Sequence, residues 1–432
     1  MANTSIGQDA FEESKPVLGI PLAEPTEAKS IGFLIMFCLA SGVIGLGSFT
    51  IMTVLLPAQV TALHPANSAT YFGLIASCGA LLTFLSIPLV GAWSDRTTSR
   101  FGRRRLWIIG GGVLLTIGLV LLAEAGNIPM LIVGVLLAET AVGVIQAALA
   151  AIIPEQIPLQ QRALGSALVG IAPLMVGFVG QILVVQVHNQ TVSYICLAAI
   201  SLVLLLSFTF FVLHDPVIRD VPPPFKLKNM VTSFWVSPRR YPNFGYTWLS
   251  RFFVFFSYTT LTNFVFFYLR DAVHYSQLFP GSTLSQGQQI FFLIFTPVII
   301  VSSILCGILS DRVQRRKVFV IGSCILIAIG LFTLTVLPTW SGVLIGDAIL
   351  SIGVGGYLSS DLALASLVLP TIRDSGKDLG ILNTAIFLPL VIAPIVASII
   401  LGVTQSYIIL FGMLTVAAIL AMQSTLPIKG IR

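Results

Sequence analysis

Long apolar runs alternate with short polar segments along almost the whole chain. Six apolar runs occupy the first half, at residues 31–56, 69–93, 106–123, 129–152, 163–187 and 191–213. Six more follow a polar stretch, at residues 244–269, 288–309, 318–337, 341–369, 379–402 and 405–426. Because about 20 apolar residues suffice for a helix to cross a bilayer, each run predicts one transmembrane helix. The pattern therefore predicts an all-α membrane protein with twelve transmembrane helices.

The composition of the chain supports this fold class. Hydrophobic residues make up 56% of the 432 residues, and charged residues only 9%. A soluble domain carries roughly 25% charged residues, because its surface must be wetted. The composition therefore excludes a soluble protein of this size.

The polar segments divide the chain into five parts. We expect a cytoplasmic tail at residues 1–30, a six-helix bundle at 31–213, a cytoplasmic linker at 214–243, a second six-helix bundle at 244–426 and a cytoplasmic C-terminus at 427–432.

The basic residues indicate how the chain is oriented. If both termini are cytoplasmic, all of the 23 lysines and arginines fall in cytoplasmic segments except Arg251, within a run, and Arg270, outside. This bias is what the positive-inside rule describes. The net charge of +6 is thus explained by topology, and we expect no nucleic-acid partner.

The two halves of the sequence repeat each other. Residues 91–96 read GAWSDR, and residues 307–312 read GILSDR, with four identities at an offset of 216. The same offset relates Pro173 to Pro389. Two pseudo-symmetric six-helix bundles in parallel orientation are typical of transporters built from repeats.

The loop between the second and third runs carries a longer motif. Residues 91–105 read GAWSDRTTSRFGRRR, which resembles the loop motif of the major facilitator superfamily. The long form is most similar to the branch of sucrose transporters and glycoside–pentoside–hexuronide symporters, as are DLALASLVLP at 361–370 and KDLG at 377–380. Leu106 departs from that branch, which usually has proline there. The resemblance implies the major facilitator fold.

The motif suggests a gate on the cytoplasmic side. Asp95 can lie beside the positively polarised N-terminus of a helix, which the resemblance implies is helix eleven, near Asp378. The arginines can bridge to acids at neighbouring helix ends, with Glu155 the best candidate. Alternatively, the charges only set topology, which fits Arg104 and Arg105 but not the paired Ser-Asp-Arg. The expected gating residues are Gly91, for close helix packing, with Asp95, Arg96, Gly102, Arg103, Glu155, Asp311, Arg312 and Asp378.

Four ionisable residues lie within the apolar runs: Glu139, Arg251, Asp347 and Asp361. Insertion of such a side chain at the centre of a transmembrane helix costs about 2.5–3.5 kcal/mol, so we expect these residues to have a function. The resemblance implies that helices one, four, seven and ten line a central cavity, and all four residues fall on these helices. Asp347 lies nearer the outer face, where we expect a solvated residue or an outer gate.

Glu139 is the expected proton site. It lies fifteen residues before Pro154, near mid-membrane, with Gln146 two turns further along the same face. Desolvation favours the neutral form of a carboxyl, so such a group can exchange protons near neutral pH. The resemblance to sugar symporters implies that Glu139 couples transport to protons, and we also assign proton coupling to Asp361. A permanently neutral, hydrogen-bonded glutamate is the alternative. A sodium site on helix two is disfavoured, because residues 69–93 contain no acid.

Arg251 and Asp361 lie at similar depths, about 10 Å and about 13 Å from the cytoplasmic face at 1.5 Å per residue. They are therefore candidates for an ion pair. Tyr258 and Thr262 share a helical face with Arg251, and Tyr357 lies one turn before Asp361. An aromatic ring with charged groups suits a hydroxyl-rich solute, although a purely structural pair is an alternative. The expected substrate site comprises Gln146, Arg251, Tyr258, Thr262, Tyr357 and Asp361.

These observations predict a secondary transporter that moves a sugar or glycoside with protons by alternating access. We expect it to act as a monomer, without cofactor or metal, in a bacterial plasma membrane. No nucleophile–base pair, metal spacing or phosphate-binding loop suggests an enzyme.

A proton-driven exporter of drugs or metabolites is an alternative. Eleven phenylalanines at 244–292 favour export, whereas the lack of an adjacent glycine–proline pair on helix five disfavours it. A non-transporting membrane sensor is another alternative, against which the paired loop motifs argue.

Overall fold

The computed structural model describes residues 27–215, 241–313, 315–367 and 375–428, without the side chains of 163, 362–363, 365–367 and 375–379. Twelve helices in these residues are long and apolar enough to cross a membrane, which confirms the predicted all-α class. They are α1 (Ile31–Leu63), α2 (Ser68–Ser94), α3 (Arg105–Ala123), α4 (Ile128–Gln156), α5 (Leu159–Val187), α6 (Gln190–Val212), α7 (Pro242–Asp271), α8 (Leu284–Val313), α9 (Arg316–Val336), α10 (Trp340–Leu367), α11 (Ser375–Thr404) and α12 (Tyr407–Thr425).

Helix α1 continues to Leu63, beyond the apolar run that ends at residue 56. The extra turns contain Gln59, which is buried. Its side-chain amide donates to the carbonyls of Leu122 (2.9 Å) and Ala125 (3.2 Å), and Tyr194 donates to its oxygen (2.9 Å). The polar side chain is therefore satisfied inside the bundle, which hydropathy alone cannot reveal.

The same packing pattern occurs in both halves of the chain. In the first half α4 packs against α2 and α3, α3 against α6, and α1 against α5. In the second half α10 packs against α8 and α9, α9 against α12, and α7 against α11. This repetition confirms two pseudo-symmetric six-helix bundles. The bundles meet along α2 with α11 and α5 with α8.

The α2–α11 contact depends on a small residue. A Cβ atom added at Gly73 would lie 2.4 Å from the carbonyl oxygen of Pro394 and 2.4 Å from Ser398 Cβ. The two backbones thus approach too closely for any side chain at this position, as is common where membrane helices cross.

Residues 95–104 mark what we call the basic end of the molecule, and residues 64–67 and 272–283 lie at the opposite end. The halves are joined by hydrogen bonds toward the opposite end. Arg270 donates to Ser68 Oγ (2.8 Å) and Thr61 Oγ1 (3.1 Å). Nearby, the Gln288 amide donates to the Thr53 carbonyl at 2.5 Å.

Helix α1 contains two consecutive π-helical segments, Gly45–Phe49 and Ile51–Leu55. Such segments are rare and are frequently found at functional sites. Here they lie in the middle of the helix: the first packs against α5 and α4 of its own half, and the second contacts α7 of the other half.

Candidate functional site

A cavity of about 360 Å³ lies between the two halves. Helices α1, α2, α4 and α5 line it on one side, and α7 and α11 on the other. Its volume is within the usual range for small-molecule sites. Most of the lining is apolar; the polar lining residues are Ser48, Thr53, Thr83, Glu139, Gln146, Tyr258, Thr259, Thr262 and Asn263.

Glu139 is the acidic side chain of this lining, and it is only 3% exposed. Its Oε1 accepts a hydrogen bond from Ser48 Oγ (2.7 Å), and its Oε2 accepts one from Thr83 Oγ1 (2.6 Å). A Cβ atom at Gly79 would lie 2.9 Å from Glu139 Cγ, so a glycine makes room for the carboxyl. No lysine or arginine of the described residues lines the cavity. Among the residues that the structure describes, Glu139 therefore has hydroxyl partners but no counter-ion.

Three residues of the predicted substrate site line the same cavity as Glu139: Gln146, Tyr258 and Thr262. The Tyr258 ring stacks on Phe295 with a centroid distance of 5.9 Å, which fixes its orientation. An amide from the same helix as Glu139, and a phenol ring and a hydroxyl from α7, thus line one cavity together with the carboxyl. Their binding of a solute stays a prediction.

The other three predicted substrate residues lie in a separate cluster inside the second bundle. Arg251 Nε donates to both carboxylate oxygens of Asp361, at 2.9 and 2.7 Å. The two side chains are 1% and 5% exposed. Tyr357 lies within hydrogen-bond distance of Ser250 (3.3 Å). The pair that similar depth suggested is therefore present, but outside the cavity.

Helix α10 contributes none of the described residues that line the cavity. It packs against α8 and α9, and the α11 residues Ile386, Phe387 and Leu390 complete the cavity wall instead. The arrangement that the resemblance implied, with helix ten on the cavity, is thus not found in this part of the structure.

Asp347 is fully buried, and its Oδ1 accepts a hydrogen bond from Ser351 Oγ (3.2 Å). The expectation of a solvated residue was wrong. The reason is that the first turns of α10 pack against α8 and α9, so this face of the helix points into the bundle.

Arg104 is the centre of a polar cluster at the basic end. Its side chain is 2% exposed and binds Asp95 Oδ1 (2.5 Å), Ser94 Oγ and both oxygens of Glu155. Arg103 also forms an ion pair with Glu155. The cluster connects the ends of α2 and α4 to the start of α3. Sequence reasoning attributed Arg104 to topology, because three consecutive arginines do not reveal which one folds inward.

The charge of Arg104 is secured by its partners. Burial alone would lower the pKa of the guanidinium, but Glu155 and Asp95 outweigh this effect, and the pKa lies above its ordinary value. Asp95 itself is 57% exposed.

Asp215 completes the cluster, and sequence reasoning missed it. Its Oδ2 accepts from the backbone N–H groups of Arg104 (2.5 Å) and Arg105 (2.8 Å), at the N-terminus of α3. A carboxylate at a helix N-terminus is electrostatically favourable. Gly102 lies beside it with φ of +102°, and an added Cβ would lie 2.5 Å from Asp215 Oδ2.

Gly102→Ala is expected to destabilise this cluster, because alanine meets both an unfavourable φ and the Asp215 carboxylate. The loss should be on the order of 1–3 kcal/mol, measured as a lower thermal midpoint of the purified protein. Gly126→Ala is the matched control, since an added Cβ there meets nothing within 4 Å. Equal midpoints for both variants would contradict the assigned role of Gly102.

The remaining predicted gating residues differ in their surroundings. A Cβ at Gly91 would meet nothing within 4 Å, so this glycine does not serve close packing here. Arg96 donates to the Ala92 carbonyl (2.6 Å), and Asp311 accepts from Arg316 (3.4 Å). Arg312 is exposed in the last turn of α8. The side chain of Asp378 lies outside the described residues.

The second half also has an ion pair at the corresponding helix ends, between Asp311 and Arg316, but Arg316 is more exposed than Arg104, at 26% against 2%. The offset of 216 does not extend through the loop, because α3 begins at Arg105 and α9 begins at Arg316, which makes the loop of the second half shorter. The two loop motifs are therefore similar in sequence but different in their contacts.

Comparison with known families decides the identity of the fold. The model of the Major Facilitator Superfamily matches residues 37–298 and 281–428. The chain belongs to the Major Facilitator Superfamily. It is accordingly an integral membrane transporter, not an enzyme.

Relatives within the superfamily match over short segments. The chain is 44% identical over 70 residues to proton-associated sugar transporter A of Mus musculus, which is 16% of this chain and 9% of that protein. It is 32% identical over 99 residues to sucrose transport protein SUT1 of Oryza sativa subsp. japonica, which is 23% and 18%. The matches thus span less than a fifth of these relatives.

Two solved superfamily structures share the fold along nearly the whole chain. A bacterial homologue of the human lysosomal transporter Spinster has a TM-score of 0.66 at 14% identity, covering 92% of this chain and 98% of that one. A variant of the nucleoside transporter NupG has a TM-score of 0.71 at 13% identity, covering 92% and 100%. At these identities the likeness concerns the fold alone.

Proposed function

We propose that this superfamily member couples proton movement to the transport of a sugar or glycoside by alternating access. The observation that carries the proposal is Glu139, a buried carboxyl on the wall of the cavity between the two halves, with no basic partner in the described part of the chain. A carboxyl in such surroundings can bind a proton when the cavity faces one side and release it on the other.

The chemistry of the cavity favours a neutral solute with both polar and apolar faces. Gln146, Thr262 and Asn263 offer hydrogen bonds, the Tyr258 ring offers a flat apolar surface, and no described basic residue is present to bind an anion. A sugar ring combines hydroxyl edges with apolar C–H faces. The short matches to proteins named as sugar and sucrose transporters support this solute class.

The orientation and assembly are part of the same proposal. The basic end faces the cytoplasm, because the segments that connect there carry nearly all lysines and arginines of the sequence. One chain supplies both bundles and the complete cavity, which supports function as a monomer. A bacterial plasma membrane stays a prediction.

Export of lipophilic compounds is the second candidate function. The predominantly apolar lining favours it, since Phe49, Met52, Phe387 and Leu390 all face the cavity. A lipophilic solute would bury its surface against these side chains, independently of the hydrogen-bonding residues.

Counterflow in proteoliposomes separates the two candidates. Vesicles preloaded with unlabelled sugar would receive radiolabelled monosaccharides, disaccharides and p-nitrophenyl glycosides in turn. We expect labelled sugar to enter transiently with at least one of them. Failure with the whole panel, together with proton-driven transport of a lipophilic dye, would favour export and overturn the sugar assignment.

Gln146→Leu is expected to raise the KM for the transported sugar about tenfold, because one hydrogen bond of about 1–1.5 kcal/mol is lost. The turnover of bound sugar should change less than twofold. Gln423→Leu is the control, since Gln423 is exposed on α12 and away from the cavity. An unchanged KM in Gln146→Leu would remove this side chain from the binding site.

A further inference from the structure

Two hydroxyl groups hold the Glu139 carboxyl, and they come from different helices. Ser48 lies in the first π-helical segment of α1 and donates to Oε1 at 2.7 Å. Thr83 lies on α2 and donates to Oε2 at 2.6 Å. Each carboxylate oxygen therefore has a short hydrogen bond from a neutral donor, and the carboxyl of α4 connects α1 with α2.

The Thr83 hydroxyl has a second acceptor within reach. Its Oγ1 lies 2.8 Å from the backbone carbonyl oxygen of Glu139, in addition to 2.6 Å from Oε2. A hydroxyl carries a single hydrogen, so it donates fully to only one of these two oxygens at a time. It also has lone pairs with which it can accept.

We propose that Ser48 and Thr83 are positioning residues that set the pH at which Glu139 takes up its proton. When Glu139 is ionised, both hydroxyls donate to the carboxylate. When Oε2 binds a proton, the new O–H donates to Thr83 Oγ1, and the Thr83 hydrogen turns to the Glu139 carbonyl. Ser48 continues to donate to Oε1. The proton is gained without loss of any hydrogen bond and without a change of rotamer.

The two residues therefore have different effects on the two states. Ser48 stabilises the ionised carboxylate more than the neutral acid, because a hydrogen bond to a charged acceptor is the stronger one. Thr83 serves both states, as a donor to the carboxylate and as an acceptor from the acid. Loss of the Ser48 hydroxyl should shift proton binding by Glu139 to higher pH. Loss of the Thr83 hydroxyl should destabilise both the ionised and the neutral carboxyl, and therefore shift proton binding less.

Among the described residues that line the cavity, no charged side chain other than Glu139 itself is present to influence its protonation. Tyr258 on α7 is the other titratable side chain of the lining, and α11 contributes apolar residues. Titratable side chains on the helices packed against α4 form no described hydrogen bond or ion pair with Glu139: Cys38 on α1, Tyr71 and Cys78 on α2, Arg105 at the start of α3, and Arg162 near the start of α5.

The proposal deepens the proposed proton coupling and rests on it for its role in transport, but its test requires no known solute. The purified protein in lipid would be titrated while the infrared carbonyl band of protonated carboxyls is followed. The part of the signal that disappears in Glu139→Gln belongs to Glu139. In Ser48→Ala we expect its midpoint to lie about one pH unit higher than in the unmodified protein.

Three further variants make the test specific. Thr83→Val should move the midpoint by less than Ser48→Ala and shift the band frequency, because the neutral acid loses its acceptor. Thr83→Ser should match the unmodified protein. Ser41→Ala is the control, since this buried α1 serine donates to the Phe37 carbonyl instead.

The outcomes separate the positioning role from the proposed function. An unchanged midpoint in Ser48→Ala, or a Glu139 signal that does not titrate, would overturn the positioning role. If the midpoint shifts as expected while Glu139→Gln still accumulates solute, the positioning role stands and the proposed coupling fails. A thermal midpoint close to that of the unmodified protein would verify that each purified variant is folded.

Discussion

Glu139→Gln is expected to abolish accumulation of sugar against its gradient while leaving sugar exchange across the membrane intact. Glutamine has the shape of glutamate and can still bond to Ser48 and Thr83, but it cannot carry a proton. A gradient of one pH unit supplies about 1.4 kcal/mol per proton, which supports about tenfold accumulation. In the variant the ratio of internal to external sugar should fall to about one, the value at equilibrium without coupling.

The measurement compares two modes of transport in the same proteoliposomes. Uptake driven by an imposed pH gradient reports coupling, and counterflow reports binding and alternation without it. Glu124→Gln is the matched control, because this glutamate is exposed at the end of α3 and should behave like the unmodified protein. Normal accumulation in Glu139→Gln would remove this residue from the coupling mechanism.

Asp361→Asn is expected to destabilise the second bundle severely. It leaves the guanidinium of Arg251 buried and without its acid, and an arginine cannot lose its proton in a protein. Removal of one partner of a buried ion pair costs about 3–5 kcal/mol. We expect a large fall in the thermal midpoint of the purified protein and less folded protein in the membrane.

Arg251→Gln should behave differently, because the partner left behind can be neutralised. The lone Asp361 carboxyl destabilises the fold when it is ionised and no longer does so once it binds a proton. The thermal midpoint of Arg251→Gln should therefore rise as the pH is lowered from about 8 to about 5. Asp361→Asn should show no such recovery, since its unpaired charge persists at every pH.

Controls for the ion pair come from within the same half of the chain. Asp311→Asn changes a side chain that is 69% exposed, and its effect should stay within about 0.5 kcal/mol. The double variant Arg251→Asp with Asp361→Arg should recover part of the stability that each single change loses. A stable Asp361→Asn with a raised KM would indicate that the pair contacts the solute instead of supporting the bundle.

Features that depend on the length and depth of apolar runs could be predicted from the sequence. The twelve helices follow from hydropathy, since each run must satisfy its backbone within the membrane. Counting turns on two helices made Arg251 and Asp361 candidates for an ion pair, because an isolated charge at that depth needs a partner. The two bundles follow from the repeat at an offset of 216.

Features that depend on how segments fold onto one another could not be predicted. Arg103, Arg104 and Arg105 are alike in sequence, and only the loop conformation, with Gly102 at φ of +102°, turns Arg104 inward. Ser48 and Thr83, the partners of Glu139, could not be predicted, because nothing in the sequence distinguishes them from the many other serines and threonines. Ser48 reaches the carboxyl from a π-helical segment, which leaves no trace in hydropathy.

Sugar-induced proton movement tests proton-coupled sugar transport most directly. Cells that express the protein, suspended in weak buffer, would receive monosaccharides and disaccharides while the external pH is followed. We expect alkalinisation with each sugar that the protein exchanges in counterflow, and no pH change with Glu139→Gln. A flat trace with such a sugar, with the protein present in the membrane, would contradict proton coupling.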